Sequence, residues 1–332
     1  MNLDKAKGVI FGLAIGDALG APTEFIKLLE IRRRYGPKGI SDLPEPALFT
    51  DDTQMSIAIA EALIKAGDKD IDAIMEAVRE EFIKWSHLPE TYTKAPGRTC
   101  LKGVANMEKG IPWTKSGIAE SKGCGSAMRV APIGYLYQHD PAKLREVAHA
   151  SGICTHAHTT ADAACIGAAY LVKLALDGIE PENMISELLQ FTAGISREFD
   201  EAILKVKRSI EDPGADSPVI PFADSPIPAV LGEGWVGEEA VALALYCFLR
   251  YPDDYKRAVL RGANSNGDSD SIASIAGSIS GAYLGIGAIP PEWIMRVEKT
   301  DYLGSLAERL AEKKERIGEP MNQAVGLSSE LG

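Results

Sequence analysis

Alternating runs of β-branched residues are nearly absent from this 332-residue chain. That argues against a sandwich or barrel and leaves helical periodicity as the organising signal. Cysteine is sparse and scattered: Cys100, Cys124, Cys154, Cys165 and Cys247 form no CxxC pair, and their number is odd. No disulfide framework is expected in a chain long enough to bury its own core, and a reducing, cytoplasmic setting fits better. Histidine is equally scarce at five residues, so His156 and His158 lack the partners a zinc site needs. Basic charge is also short, with 35 Lys and Arg against 47 Asp and Glu, a net charge of −12. Nucleic acid and anionic membranes are therefore not expected partners, because both need basic stripes. A small anionic ligand is still allowed, since it needs only a local nest or a helix N-terminus.

Long hydrophobic runs are missing as well. The apolar stretch from Gly8 to Gly16 follows Lys5 and Lys7, as a short signal peptide would. Asp17 ends it at once, Ala21-Pro22-Thr23-Glu24 is a poor cleavage region, and the run is too short to span a bilayer. A buried helix is expected there.

What the chain has is helix. Ile71, Ile74, Met75, Val78, Phe82 and Trp85 mark one face of an amphipathic helix. Alanine-rich stretches at 53–66, 157–176 and 236–250 read as helices buried on most sides, and 199–210 and 301–315 as more polar ones. The expected fold is all-α, a single compact domain over residues 1–318 with more than ten helices, followed by a flexible tail at 319–332. Long loops are expected near 86–97, 110–126 and 211–235. Two helices carry small residues every fourth position: Gly8, Gly12, Gly16 and Gly20, and then Ala273, Gly277, Gly281 and Gly285. Glycine inside a helix costs about 1 kcal/mol relative to alanine. Its repetition therefore suggests that another backbone packs closely there, which would bring the ends of two central helices together.

Two acidic clusters stand just ahead of predicted helices: Thr50-Asp51-Asp52-Thr53 and Asp268-Ser269-Asp270-Ser271. Each alone has a bland explanation as a helix cap. Brought together by the fold, their hard oxygens suit Mg²⁺ or Mn²⁺. The second cluster is not a calcium loop, because Ala273 stands at the sixth position where glycine is required. Nor does Thr53-Gln54-Met55 complete the DDxxD of an isoprenoid synthase. A glycine-rich loop, Ser121 to Arg129, runs into a predicted helix and offers backbone N–H groups of the kind that hold phosphates. Cys124 within it reads as a small residue between glycines, and His156 as a ligand-contacting or capping residue.

No single motif decides the function, but their order does. GLAIGDALGAPTEF, FTDDTQM, SKGCGSAMRVAPIG, THAHTTADAA, GEGWVGEEAVALALYC and NGDSDSIASIAGSISGAYLG together resemble the ADP-ribosylglycohydrolase family, from about residue 6 to residue 300. The resemblance implies an all-α domain holding two Mg²⁺ or Mn²⁺ ions. Thr50, Asp51, Asp52, Asp268, Asp270 and Ser271 would be the metal ligands. Many members have threonine where Ser269 and Ser271 stand, and serine keeps the hydroxyl. Ser121, Gly123, Gly125, Ser126 and His156 would bind substrate, with Cys124 where many members carry asparagine. Proton transfer would fall to Asp52 or Glu24. The implied activity is hydrolysis at C1″ of the distal ribose in ADP-ribose, attached to a protein acceptor side chain or a small conjugate, with arginine slightly favoured. The competing expectation is a non-catalytic ADP-ribose-binding or structural member of the same fold. Trp235 is a candidate to stack on adenine.

Overall fold

In a computed structural model, residues 3–211 and 227–318 are described. They form sixteen α-helices joined by short turns, with no β-strand among the described residues. In order these are α1 (Leu3–Gly20), α2 (Leu28–Tyr35), α3 (Asp51–Ala66), α4 (Ile71–Ser86), α5 (Arg98–Glu108), α6 (Trp113–Ser116), α7 (Ala131–Leu136) and α8 (Pro141–Ile153). Then come α9 (Thr159–Leu176), α10 (Pro181–Phe191), α11 (Arg197–Glu211), α12 (Gly237–Arg250), α13 (Tyr255–Ala263), α14 (Ser269–Leu284), α15 (Pro291–Arg296) and α16 (Thr300–Gly318). The all-α expectation holds, and the helices anticipated from periodicity lie within three residues of their observed bounds. The loop expected at 110–126 contains the short α6 and a 3₁₀ turn at Cys124–Ser126. Most of the loop expected at 211–235 and all of the tail at 319–332 lie outside the described residues.

The centre of the molecule is the antiparallel pair α1 and α14, surrounded by α3, α7, α9, α12, α13 and α16. Every residue of α1 from Gly8 to Gly20 is buried, so this helix is apolar all round. The small-residue stripes face each other. A Cβ on Gly8 would stand 2.2 Å from the Gly281 carbonyl oxygen, one on Gly12 2.3 Å from Gly277 O, and one on Gly16 2.1 Å from Ala273 O. No larger side chain fits between these backbones, which explains the loss of helix propensity at those positions. Gly285, at φ +88°, ends α14 in a conformation that other residues rarely adopt. The contact runs on to Gly20, whose Cα lies against Ser269 and Asp270. The C-terminal end of α1 and the N-terminal end of α14 therefore meet at one place.

Among the described residues one unbroken helix, α9, is long and apolar enough to cross a membrane, but 78% of that stretch is buried inside the protein. It packs on α7, α8, α12 and α14 as a core helix.

Candidate active site

Where α1 and α14 meet, α3 begins, and the two acidic clusters come together. Thr50 is the N-cap of α3, and its hydroxyl accepts the Asp52 N–H at 3.3 Å. The capping explanation is thus true of Thr50 and leaves the carboxylates of Asp51 and Asp52 to be explained. Asp51 accepts the Gly97 N–H at 3.1 Å, and Asp52 accepts the Ser271 hydroxyl at 2.8 Å. Asp268 occupies the N-cap position of α14 yet makes no capping hydrogen bond. Its Oδ2 instead accepts the Cys124 thiol at 2.8 Å. Asp270 is buried, and its Oδ1 has no hydrogen-bond partner.

Carboxylate oxygens of Glu24, Asp268 and Asp270 lie within 4.8 Å of one another. None of Glu24, Asp51, Asp52, Asp268 and Asp270 is in an ion pair among the described residues. Like charge and burial together raise their proton affinity. Burial first, then Asp270, Asp268 and Asp51, push Glu24 up to about 10. Asp51, Asp52, Asp268 and Asp270 all rise in the same direction, with burial as the largest cause in each. Buried anions without cations are costly by several kcal/mol each. An all-oxygen cluster with an orphaned carboxylate oxygen fits one or more hard divalent cations.

These acids line a cleft of about 480 Å³ together with Gly97, Arg98, Thr99, Cys100, Gly123, Cys124, Gly125, Met128 and His156. Gly123 and Gly125 are pressed against the imidazole. A Cβ on Gly125 would stand 2.9 Å from His156 Cε1, and one on Gly123 3.2 Å from Nε2. Two predicted substrate residues stand back from the opening. Ser126 is buried with its hydroxyl toward Ala161 O at 3.4 Å, and Ser121 pairs with Thr99 at 3.1 Å. Trp235 lines the mouth, stacked on Phe25 with ring centroids 5.2 Å apart and planes 19° from parallel. Phe25 has φ +63°, a left-handed conformation held by its N–H to Gly267 O at 3.2 Å. Such strain costs on the order of 1–3 kcal/mol, and it aims the ring at Trp235.

Sequence reasoning missed two supports. Asp17, fully buried in α1, accepts the Thr50 N–H at 2.9 Å, the Thr53 N–H at 2.9 Å and the Thr53 hydroxyl at 2.5 Å. It holds the turn that presents Asp51 and Asp52. Its signal was an acid inside an otherwise apolar helix, which is rarely buried without a role. The second support is Thr23, whose hydroxyl lies 2.7 Å from Ala263 O and 3.0 Å from Ser269 Oγ, while Ser269 donates to Gly20 O at 3.0 Å. Together these tie the start of α14 to the end of α1.

An all-α bundle with a carboxylate-lined cleft at the junction of two central helices defines the class. The profile of the ADP-ribosylglycohydrolase family matches residues 1–320. The chain belongs to that family. A protein of Archaeoglobus fulgidus without an assigned function is 30% identical over 95% of this chain and 98% of its own length. The ADP-ribosylarginine hydrolase Tri1 of Serratia proteamaculans is 25% identical, over 93% of this chain and 79% of its own. A solved structure, an ADP-ribosylglycohydrolase-related protein complex, superposes with a TM-score of 0.72 at 25% identity, covering 94% of this chain and 98% of its own.

Proposed function

We propose that this protein is a metal-dependent hydrolase that cleaves the glycosidic bond between C1″ of the distal ribose of ADP-ribose and an acceptor, with arginine the favoured acceptor. The observation that carries this reading is the uncompensated cluster of Glu24, Asp268 and Asp270, with Asp270 Oδ1 unpartnered beside them. A diphosphate would meet five carboxyl groups against the single guanidinium of Arg98 in such a cleft unless cations stood between. Thr50, Asp51, Asp52, Asp268, Asp270 and Ser271 are the residues that would hold two Mg²⁺ or Mn²⁺ ions. When bound, such ions neutralise the carboxylates, orient vicinal ribose hydroxyls and make water a better nucleophile. Arginine is favoured because a relative over most of the chain is named for ADP-ribosylarginine.

The chain's own groups supply the rest. Gly123 and Gly125 present backbone at the cleft with no side chain between it and a ligand. The Phe25–Trp235 pair offers an aromatic face of the kind on which a purine stacks. Asp52 is held by Ser271, so its carboxylate orientation is fixed. Glu24 is less deeply buried than the aspartates, and its carboxylate lies within 4.8 Å of those of Asp268 and Asp270. It is the better placed of the two to carry a proton between the cleft and solvent.

The test is release of ADP-ribose from ADP-ribosyl-arginine and ADP-ribosyl-serine peptides with Mg²⁺, Mn²⁺ or EDTA. Metal-dependent release from the arginine peptide is expected. Release that persists in EDTA, or binding of ADP-ribose with no release from either peptide, would overturn the reading.

A further inference from the structure

Behind the cleft lies a chain of three buried groups that leads to His156. Arg129 is fully buried and has no carboxylate partner among the described residues. Its Nη2 donates to Ser151 O at 2.6 Å and to Thr155 Oγ1 at 2.7 Å, and its guanidinium lies 4.7 Å from the Phe82 ring centre. Thr155 Oγ1 is in turn 2.9 Å from His156 Nδ1. Among the described residues Nε2 has no hydrogen-bond partner, and Nε2 is the atom nearest the Gly123 Cβ position.

This arrangement decides where the ring proton sits. Thr155 accepts from Arg129 and has one proton of its own to give. Two acceptors are in reach, His156 Nδ1 at 2.9 Å and Gly152 O at 3.4 Å. The shorter contact is the stronger. The guanidinium is permanently charged, and its field favours a lone pair over an N–H on the near side of the imidazole. Both effects leave Nδ1 as the acceptor and place the proton on Nε2.

We propose that Arg129 and Thr155 are positioning residues that lock His156 in the Nε2–H tautomer, making it a hydrogen-bond donor, and not a base, toward the phosphate and ribose oxygens of the ligand. The second half rests on the functional reading above; the tautomer itself does not. Burial and Arg129 also push the imidazole down to about 3, so the ring stays neutral through the working range. A second-layer group that fixes a histidine tautomer is a common device where the outward nitrogen has work to do.

The experiment uses the full chain labelled with ¹⁵N-histidine. Five histidines give few enough signals to resolve, and a His156→Asn sample assigns the one that matters. Long-range ¹H–¹⁵N correlation on metal-free, ligand-free protein should show Nε2 protonated and Nδ1 bare, unchanged from about pH 5 to pH 8. Thr155→Val should mix the tautomers and weaken ADP-ribose binding about tenfold, the loss of one oriented hydrogen bond, while Mn²⁺ affinity is retained. Thr155→Ser should restore both. A wild-type spectrum with the proton on Nδ1 overturns the proposal, even if Thr155→Val does not fold. So does a folded Thr155→Val protein with wild-type tautomer and wild-type ADP-ribose affinity. An Nε2–H spectrum in a protein that binds no ADP-ribose would support the tautomer lock and sink the functional reading instead.

Discussion

Asp17 holds Thr50 across 33 positions of sequence: both its carboxylate oxygens accept the Thr50 N–H, at 2.9 and 3.0 Å. An acid in the last turn of α1 thereby caps α3 from outside and aims the first acidic cluster. Asp17→Asn keeps the shape but turns an NH₂ toward backbone donors. It should cost about 1–3 kcal/mol of stability, the penalty for buried unpaired donors. It should also weaken Mn²⁺ binding by about 10–100-fold, as loss of a ligand-orienting partner does. Urea unfolding and calorimetric titration with Mn²⁺ would measure the two. Wild-type values for both would mean that Asp17 is only a buried polar residue.

Removing a cluster carboxylate should separate activity from folding. Asp51→Ala and Asp268→Ala should each lower metal-dependent hydrolysis by more than about 100-fold. Both acids sit in a field of like charge. The metal-free melting temperature should therefore hold or rise, because an uncompensated buried anion has gone. Full activity in either variant at trace metal would contradict the proposed two-ion site.

The same field predicts how metal-free protein responds to pH. The cluster carboxylates bind protons more tightly in the folded state than their ordinary values near 4 in the unfolded chain. Between about pH 4 and their raised values the folded state holds more protons, so stability falls as pH rises. In EDTA the melting temperature should drop from about pH 5 to pH 8, and saturating Mn²⁺ should remove most of that slope. Asp270→Ala should flatten it without metal. A metal-free melting temperature that climbs over this range would show that the carboxylates are compensated in some other way.

The packing of α1 on α14 gives a stability test free of any ligand. Alanine at Gly12 would gain up to about 1 kcal/mol of helix propensity. It would also place a Cβ 2.3 Å from a backbone oxygen that cannot swing aside, and overpacking costs about 1–3 kcal/mol. The net effect of Gly12→Ala should be destabilising. By contrast, Gly304→Ala in α16 meets only Phe11 at 4.0 Å and should be neutral or stabilising. Chemical denaturation of the two side by side decides the matter.

Much of the site was legible because its chemistry is written in local clusters. Thr50–Asp52 and Asp268–Ser271 announce themselves within four residues each, and the stripes Gly8–Gly20 and Ala273–Gly285 announce the helix pair that joins them. What could not be read were partnerships made by tertiary contact alone. Phe25 and Trp235 stack across 210 positions, Thr155 links Arg129 to His156, and Cys124 reaches Asp268 across 144. Nothing in the neighbours of any one of these residues names its partner. Cys124 shows the limit well: read as a small residue between glycines, it is a thiol donor to a cluster carboxylate.

The seam between α1 and α14 acts as a ruler with teeth. Each small residue fits under one carbonyl of the opposite helix, so neither helix can slide or turn without leaving its notch. One residue inserted into either would rotate everything beyond it by about 100° and shift it by about 1.5 Å. That would swing Glu24 or Asp270 out of the cluster. A change in length is best tolerated ahead of Leu3, where α1 begins. A polypeptide fused ahead of Leu3 would join the molecule some 25 Å from the cleft, one helix length away, and the carboxylates would keep their spacing.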